Sequence, residues 1–348
     1  MDSITQSALG ALVAEAGFGD RLGPKAAAAG ALVALVPDLD MIARLWGDEW
    51  SMLAHHRGIT HSLLAAPALA AVAGYAGWRW SGRSGRFVTW VHLALWALVT
   101  HSLLDWCTSY GTMLLYPLSS RRFALDAVAI VDPLYSIPLF VGLGISVALR
   151  RKGRSGRAWA AGTLVATTLY LVLGLALTLR AVSVARDEFA REGFEAVRVR
   201  ASPHIVALPL RRVAARDERR NIRAGAVSPF SGHVLAPARI DWPDHPLVAA
   251  ALETEQGRLF DWFALGLLAA RVEPRGDGGT DVLLIDQRYG FVSDPAAAPF
   301  AARFEFDAQG SLRDCRMARS LPSGLAGEAA AALRALVGVG PASAGRER

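Results

Sequence analysis

The first half of the chain gathers its apolar residues into long blocks separated by short arginine-bearing breaks, and that pattern limits the fold more than any other feature. Ser62 to Trp80, Phe87 to Leu104, Val131 to Leu149 and Ala158 to Leu179 each have about the 17 to 25 residues that a helix needs to cross a hydrocarbon layer of roughly 30 Å. Thr5 to Phe18 and Pro24 to Val36 are shorter and Ala-rich. Too short to cross upright, they read as half-spans packed against the others, as arms of a membrane-dipping hairpin, or as a buried hairpin at the surface. The expected fold is mainly α: a polytopic transmembrane helical bundle of four clear spans plus two short N-terminal ones. With 53% hydrophobic and 20% charged residues among 348, and a mean hydropathy of +0.29, the chain falls outside the disordered class. Its two cysteines, Cys107 and Cys315, exclude a disulfide-rich scaffold and a zinc site built on several thiolates. The opening Met1-Asp2-Ser3 lacks the basic stretch of a cleavable signal peptide.

Lysine and arginine in short loops mark the cytoplasmic side of a membrane protein. One set of connections carries Arg21, Lys25, Arg79, Arg83, Arg86, Arg150, Arg151, Lys152, Arg154 and Arg157, and the alternate set only Arg44, Arg57, Arg121 and Arg122. If both short segments cross, six spans result, with the basic loops inside and the N-terminus and C-terminal domain outside. Topology then accounts for the net charge of +6, and nucleic acid is not needed as a partner to explain it. Beyond about Arg180 charges recur every few residues. Ala196 to Arg200, Asp281 to Asp286 and Ala302 to Phe306 alternate as strands do, Pro246 to Thr254 and Gly327 to Leu336 read as helices, and Gly276 to Gly279 as a turn. A transmembrane domain over residues 1–180 is thus followed by a soluble α+β domain over 181–340 and a disordered tail from Pro341 to Arg348. The chain has no GxGxxG, Walker or GxSxG motif, which leaves nucleotide-fold and serine-hydrolase chemistry without support.

Residues that carry chemistry concentrate in the non-basic loops and the helix ends facing them. They are Pro37-Asp38-Leu39-Asp40, His55-His56-Arg57-Gly58-Ile59-Thr60-His61-Ser62, Thr100-His101-Ser102-Leu103-Leu104-Asp105 and Val131-Asp132-Pro133. His101 and Asp105, one helical turn apart, leave the same face of their helix. His61 opens one span and His101 closes the next, which puts the two imidazoles at one depth in antiparallel neighbours. Thr-His-Ser-Leu-Leu occurs at both, Thr60 to Leu64 and Thr100 to Leu104, with hydroxyls beside each ring to orient it. A carboxylate at mid-membrane costs roughly 2.5 to 3.5 kcal/mol. A divalent cation compensates several at once, since structural zinc binds with roughly 10 to 16 kcal/mol. Imidazole and carboxylate without thiolate suit zinc, and also manganese, iron or nickel. More than four candidate ligands point to two or more ions, an arrangement suited to phosphoryl displacement and to making hydroxide near neutral pH.

Simpler roles compete at each position. Asp132, before Pro133, is either part of the site or the N-cap of the third clear span. Asp38 either joins the site or caps a short helix from Leu39 to Trp46. One of His55 and His56 must turn away from any shared point, and His92, mid-span, reads as an interhelical hydrogen-bonding residue. Arg57 is a surface charge or holds a substrate phosphate bidentately. Thr108 and Tyr110 line the mouth of the site or belong to a plain loop, and Cys107 reads as buried packing.

Taken as a set, several segments resemble the LexA-regulated, YdjM-like family of inner-membrane metal-dependent hydrolases over about residues 1 to 135. They are Met1-Asp2-Ser3-Ile4-Thr5-Gln6, the Pro-Asp-Leu-Asp run, His-His-Arg-Gly-Ile-Thr-His-Ser, His-Ser-Leu-Leu-Asp with Tyr110-Gly111-Thr112, and Asp132-Pro133-Leu134. Asp286-Gln287-Arg288-Tyr289-Gly290 resembles a segment of longer members. One position departs: many members carry histidine where this chain has Gln6. The family is similar in motif to the zinc-dependent phospholipase C and single-strand nuclease superfamily, which implies phosphoester hydrolysis. The expectation is a multi-pass inner-membrane hydrolase with its site on the extracytoplasmic side. Asp38, Asp40, His56, His61, His101 and Asp105 hold a divalent metal, zinc first among the candidates, and a metal-activated water attacks a small or lipid-linked phosphoester. Arg57 steadies the anionic group, while Asp132 or Asp2 completes or orients the shell. A non-catalytic membrane metal sensor or transport protein is the rival reading, and a structural anchor with a degenerate site the third.

Overall fold

The computed structural model describes residues 1–45, 47–204, 209–320 and 325–337. The tail expected from Pro341 to Arg348 lies outside these residues, as does Trp46. The chain divides into two compact units: Met1–Gly47 with His55–Leu173, and Gly174–Arg348 with the segment Asp48–Ala54.

The first half is helical: α1 (Ser3–Leu22), α2 (Lys25–Val33), a 3₁₀ segment (Pro37–Leu45), α3 (Glu49–His55), a 3₁₀ turn (Ile59–His61), α4 (Ala66–Trp80), α5 (Phe87–Cys107), α6 (Pro133–Arg151) and α7 (Arg157–Arg191). Among the described residues, α5, α6 and α7 are long and apolar enough to cross a membrane. A fourth span exists only if α4 is counted with residues 49–61, from which it bends by 74°. Three such helices, or four with the bent pair, replace the expected four clear spans plus two short ones.

The reason lies at Ser62. Its hydroxyl donates to the Tyr116 carbonyl at 2.5 Å and accepts from the Leu64 amide at 3.1 Å, and Pro67 sits in the first turn of α4. Residues 62–65 therefore form a turn, and α4 keeps 15 residues. Conversely, α1 runs for 20 residues, longer than its apolar stretch. Asp2 caps it by accepting from the Thr5 amide at 2.9 Å, and Glu15, buried in its middle, is neutralised by Arg150 of α6 at 2.6 Å.

α1 packs against α2, α5 and α6. Its crossing with α2 is made by two glycines: a methyl on Gly10 would stand 2.4 Å from both the Gly30 carbonyl oxygen and Ala34 Cβ, and one on Gly30 would stand 2.3 Å from the Gly10 carbonyl oxygen. Only residues without side chains let the backbones approach this closely. Leu9, Leu12, Leu104, Val128, Tyr135 and Leu139 form one buried cluster around α1, and Val33, Ala66, Ala70, Ala94, Ala97 and Leu98 another between α2, α4 and α5.

The second unit holds two four-stranded antiparallel sheets, each in sequential order. The first comprises β1 (Arg198–Pro203), β2 (Arg211–Arg216), β3 (Ile222–Val227) and β4 (Leu235–Ile240). After α8 (Pro246–Glu253) and α9 (Glu255–Phe263) comes the second, with β5 (Leu268–Pro274), β6 (Thr280–Asp286), β7 (Ala298–Phe306) and β8 (Leu312–Ser320), and then α10 (Leu325–Leu336). All three strands and both helices expected from the sequence are found here, and the turn at Gly276 to Gly279 has Gly278 at φ +84°. The Asp286-Gln287-Arg288-Tyr289-Gly290 run is internal scaffolding. Arg288 pairs with Asp286 at 2.6 Å and stacks on Phe263. Buried Arg212 donates to Gln287 Oε1 at 2.8 Å, and a methyl on Gly290 would stand 2.2 Å from that guanidinium.

Candidate metal centre

Three elements of the first unit deliver the four candidate ligands: the 3₁₀ segment after α2 carries Asp38, the 3₁₀ turn before α4 carries His61, and the last two turns of α5 carry His101 and Asp105. One ligand atom from each lies within 4.8 Å of all the others. His61 Nε2 is 3.5 Å from Asp38 Oδ1 and 3.2 Å from Asp105 Oδ2. His101 Nε2 is 3.7 and 3.6 Å from the same two oxygens. A tetrahedron with metal bonds of about 2.0–2.2 Å has edges of about 3.3–3.6 Å. The four imidazole-to-carboxylate distances fall in or close to that range.

Hydrogen bonding fixes which atoms face inward. The His101 Nδ1–H donates to the Ala34 carbonyl at 2.7 Å, so its lone pair is on Nε2. The Thr60 hydroxyl donates to Asp40 Oδ2 at 2.9 Å and so accepts from His61 Nδ1 at 3.0 Å, which places the lone pair of that ring on Nε2 as well. Asp105 Oδ1 receives the Met1 amino group, Gln6 Nε2 at 3.1 Å and Arg57 Nη2 at 3.1 Å, and Oδ2 is left over. His61 Nε2, His101 Nε2 and Asp105 Oδ2 are all buried with no hydrogen-bond partner. Three converging orphaned acceptors in one buried place are costly without a cation, which is how these residues fit a metal.

Asp40 and His56 lie beside this group and outside it. Asp40 Oδ1 meets His56 Nδ1 at 2.7 Å. Its Oδ2 accepts from the Arg57 amide at 3.1 Å and from Thr60, and lies 3.4 Å from His61 Nδ1. Burial alone would raise the Asp38 and Asp40 carboxyls. His61 and His101 beside Asp38, and His56 and His61 beside Asp40, outweigh it and hold both below the usual carboxylate range. Among the described residues the ligand atoms thus form one group of four.

Arg57 is buried and holds φ +65°, a left-handed conformation that costs a non-glycine residue about 1–2 kcal/mol. That turn aims the guanidinium at Asp105, at Thr108 Oγ1 (2.8 Å) and onto the Tyr110 ring, 4.7 Å away, while its Nε has no partner. Asp132 caps α6, accepting from the Leu134 and Tyr135 amides at 3.0 and 3.2 Å and from the Tyr170 hydroxyl at 2.9 Å. Asp2 caps α1. Neither belongs to the group of four. His92 is exposed on α5 and not the interhelical residue expected. Of the two Thr-His-Ser-Leu-Leu copies only the first orients its ring through a hydroxyl, because Thr100 donates instead to the Trp96 carbonyl at 2.7 Å within its own helix. Sequence reasoning missed Ser3, which donates to Asp38 Oδ2 at 2.6 Å, and the Ala34 carbonyl. A backbone acceptor leaves no side-chain signal.

The family described as YdjM inner membrane protein matches residues 1–181, just over half of the chain, and the chain belongs to that family. Inner membrane protein YbcI of Escherichia coli (strain K12) is 35% identical over 102 residues, 29% of this chain, and the chain spans 58% of that relative's length. No solved structure matches the chain.

Proposed function

We propose that this YdjM-family protein is a multi-pass inner-membrane hydrolase that holds a divalent transition metal, zinc foremost, and cleaves a phosphoester on the extracytoplasmic side. The observation that carries the reading is the convergence of three buried, partnerless acceptors with Asp38, all within 4.8 Å of one another. The uneven distribution of loop arginine and lysine supports the orientation. A divalent ion supplies Lewis acidity there and brings the pKa of a water near neutral. Asp38, His61, His101 and Asp105 bind it, and Asp40 with Thr60 holds the His61 tautomer. Arg57 offers fixed positive charge beside the group for an anionic phosphoester. His56, anchored by Asp40 at Nδ1, is the residue to carry a proton at Nε2.

One observation favours the rival, a metal sensor or transport protein without turnover: four protein ligands are enough to fill a four-coordinate shell, whereas catalytic zinc usually keeps a position open. The two part on hydrolysis. Detergent-purified protein is assayed with phosphomonoester, phosphodiester and phospholipid substrates and added zinc, manganese, iron or nickel. Turnover that His61→Ala and Asp105→Ala abolish without unfolding supports the hydrolase. Stoichiometric metal with no turnover of any ester supports the sensor or transporter.

A further inference from the structure

We infer that the groove along α1 holds the hydrocarbon chain of a lipid phosphoester whose headgroup lies at Asp38; this names the substrate class and rests on the hydrolase reading above. The groove has a volume of about 300 Å³ and is lined by Ala8 and Ala11 of α1, Leu35 just beyond α2, and Phe140 and Leu143 of α6. That volume sits at the low end of the range of about 300–1,000 Å³ usual for small-molecule sites. It arises because α1 packs against both α2 and α6 while lining the space between them, Ile4 apart, with the small side chains of Ser3, Ser7, Ala8 and Ala11.

Its two ends differ in chemistry. Along its length the lining is apolar, and Ile4 and Phe140 are exposed at 71% and 43%, so the groove opens outward through greasy residues beside α6, one of the helices able to cross a membrane. The hydroxyl of Ser7, also in the lining, is used by the Ala31 carbonyl at 3.3 Å. At the polar end stands Ser3, a lining residue whose hydroxyl donates to Asp38 Oδ2 at 2.6 Å. Asp38 is also the accessible member of the metal group: its side chain is 13% exposed, against 0%, 0% and 1% for His61, His101 and Asp105. The most exposed member of the metal group thus stands one hydrogen bond from the polar end of the groove. A molecule that fits both has an anionic phosphate continuous with an alkyl chain, which is the chemistry of a membrane lipid phosphoester.

The test uses the full chain in nanodiscs, loaded with zinc, and a dodecyl phosphonate bearing a diazirine at the chain end, with crosslinked peptides mapped by mass spectrometry. The expected result is labelling of α1 and α6 within Ile4–Ala11 and Phe140–Leu143. Excess dodecyl phosphonate but not methyl phosphonate should reduce it at least about tenfold, a conservative figure at the usual worth of a buried methylene. Ala11→Phe, which fills the groove, should lower it similarly, and so should Leu143→Trp if the first variant folds poorly. Labelling spread evenly over exposed apolar faces such as Val165 to Leu173 of α7, or unchanged by both variants or by removal of zinc, overturns the inference. Hydrolysis of short water-soluble phosphate esters is measured in parallel. If it is present while groove labelling fails, the inference alone falls; if neither zinc binding nor any hydrolysis is found, the hydrolase reading falls first.

Discussion

His101 donates its Nδ1–H to the carbonyl of Ala34 at 2.7 Å, tying the candidate ligand on α5 to the residue that ends α2. Ala34 is itself held by the glycine crossing, where a methyl on Gly10 would stand 2.4 Å from its Cβ. The crossing of α1 with α2 therefore positions the carbonyl that orients the His101 ring.

Gly10→Val should accordingly damage both stability and the site. Overpacking of this kind costs about 1–3 kcal/mol, and the displaced Ala34 carbonyl would release His101. Thermal unfolding and zinc content in detergent check this together. Gly17→Ala is the control: nothing lies within 4 Å of its added methyl, and removing a mid-helix glycine should stabilise α1 by about 0.5–1 kcal/mol.

Asp40 meets the group of four at His61, directly at 3.4 Å and through the Thr60 hydroxyl that both share. Loss of such an outer partner typically weakens metal binding by about 10–100-fold without abolishing it, and Asp40→Ala should fall in that range in a chelator competition titration. A complete loss of binding would instead make Asp40 a ligand.

In the second unit, Glu328 of α10 accepts from His204 Nε2 at 2.7 Å, from the Val292 and Ser293 amides at 2.9 and 2.8 Å, and from the Ser293 hydroxyl. Burial opposes its ionisation, but these bonds outweigh it and hold the carboxyl at about 2, below its ordinary 4.5. A depressed carboxylate stabilises the fold above its ordinary pKa and loses that contribution as pH falls through the folded value. Thermal stability of the second unit should therefore drop between about pH 4.5 and 2, and Glu328→Gln should flatten that decline.

Much of this was legible in the sequence because its signals are local. The i, i+4 spacing of His101 and Asp105 needs only helix geometry, and alternation was enough to find β6 and β7. What escaped depends on contacts between distant segments. Ser62 looks like the start of an apolar span until its hydroxyl meets the carbonyls of Leu114 and Tyr116. Asp40 and Asp38 are two residues apart with the same chemistry, and only the positions of His56 and Thr60 make one an outer partner and the other a candidate ligand. Gly10 and Gly30 read as ordinary members of Ala-rich segments; their role exists only in the crossing of α1 with α2.

X-ray absorption on the zinc-loaded full chain reads the donor atoms around the ion. The expected result is about one tightly held ion with a shell of nitrogen and oxygen only, at about 2.0–2.2 Å and including two imidazoles, that disappears in His61→Ala. A sulfur shell at about 2.3 Å, which would place Cys107 on the metal, or purified protein that retains no stoichiometric ion would contradict it.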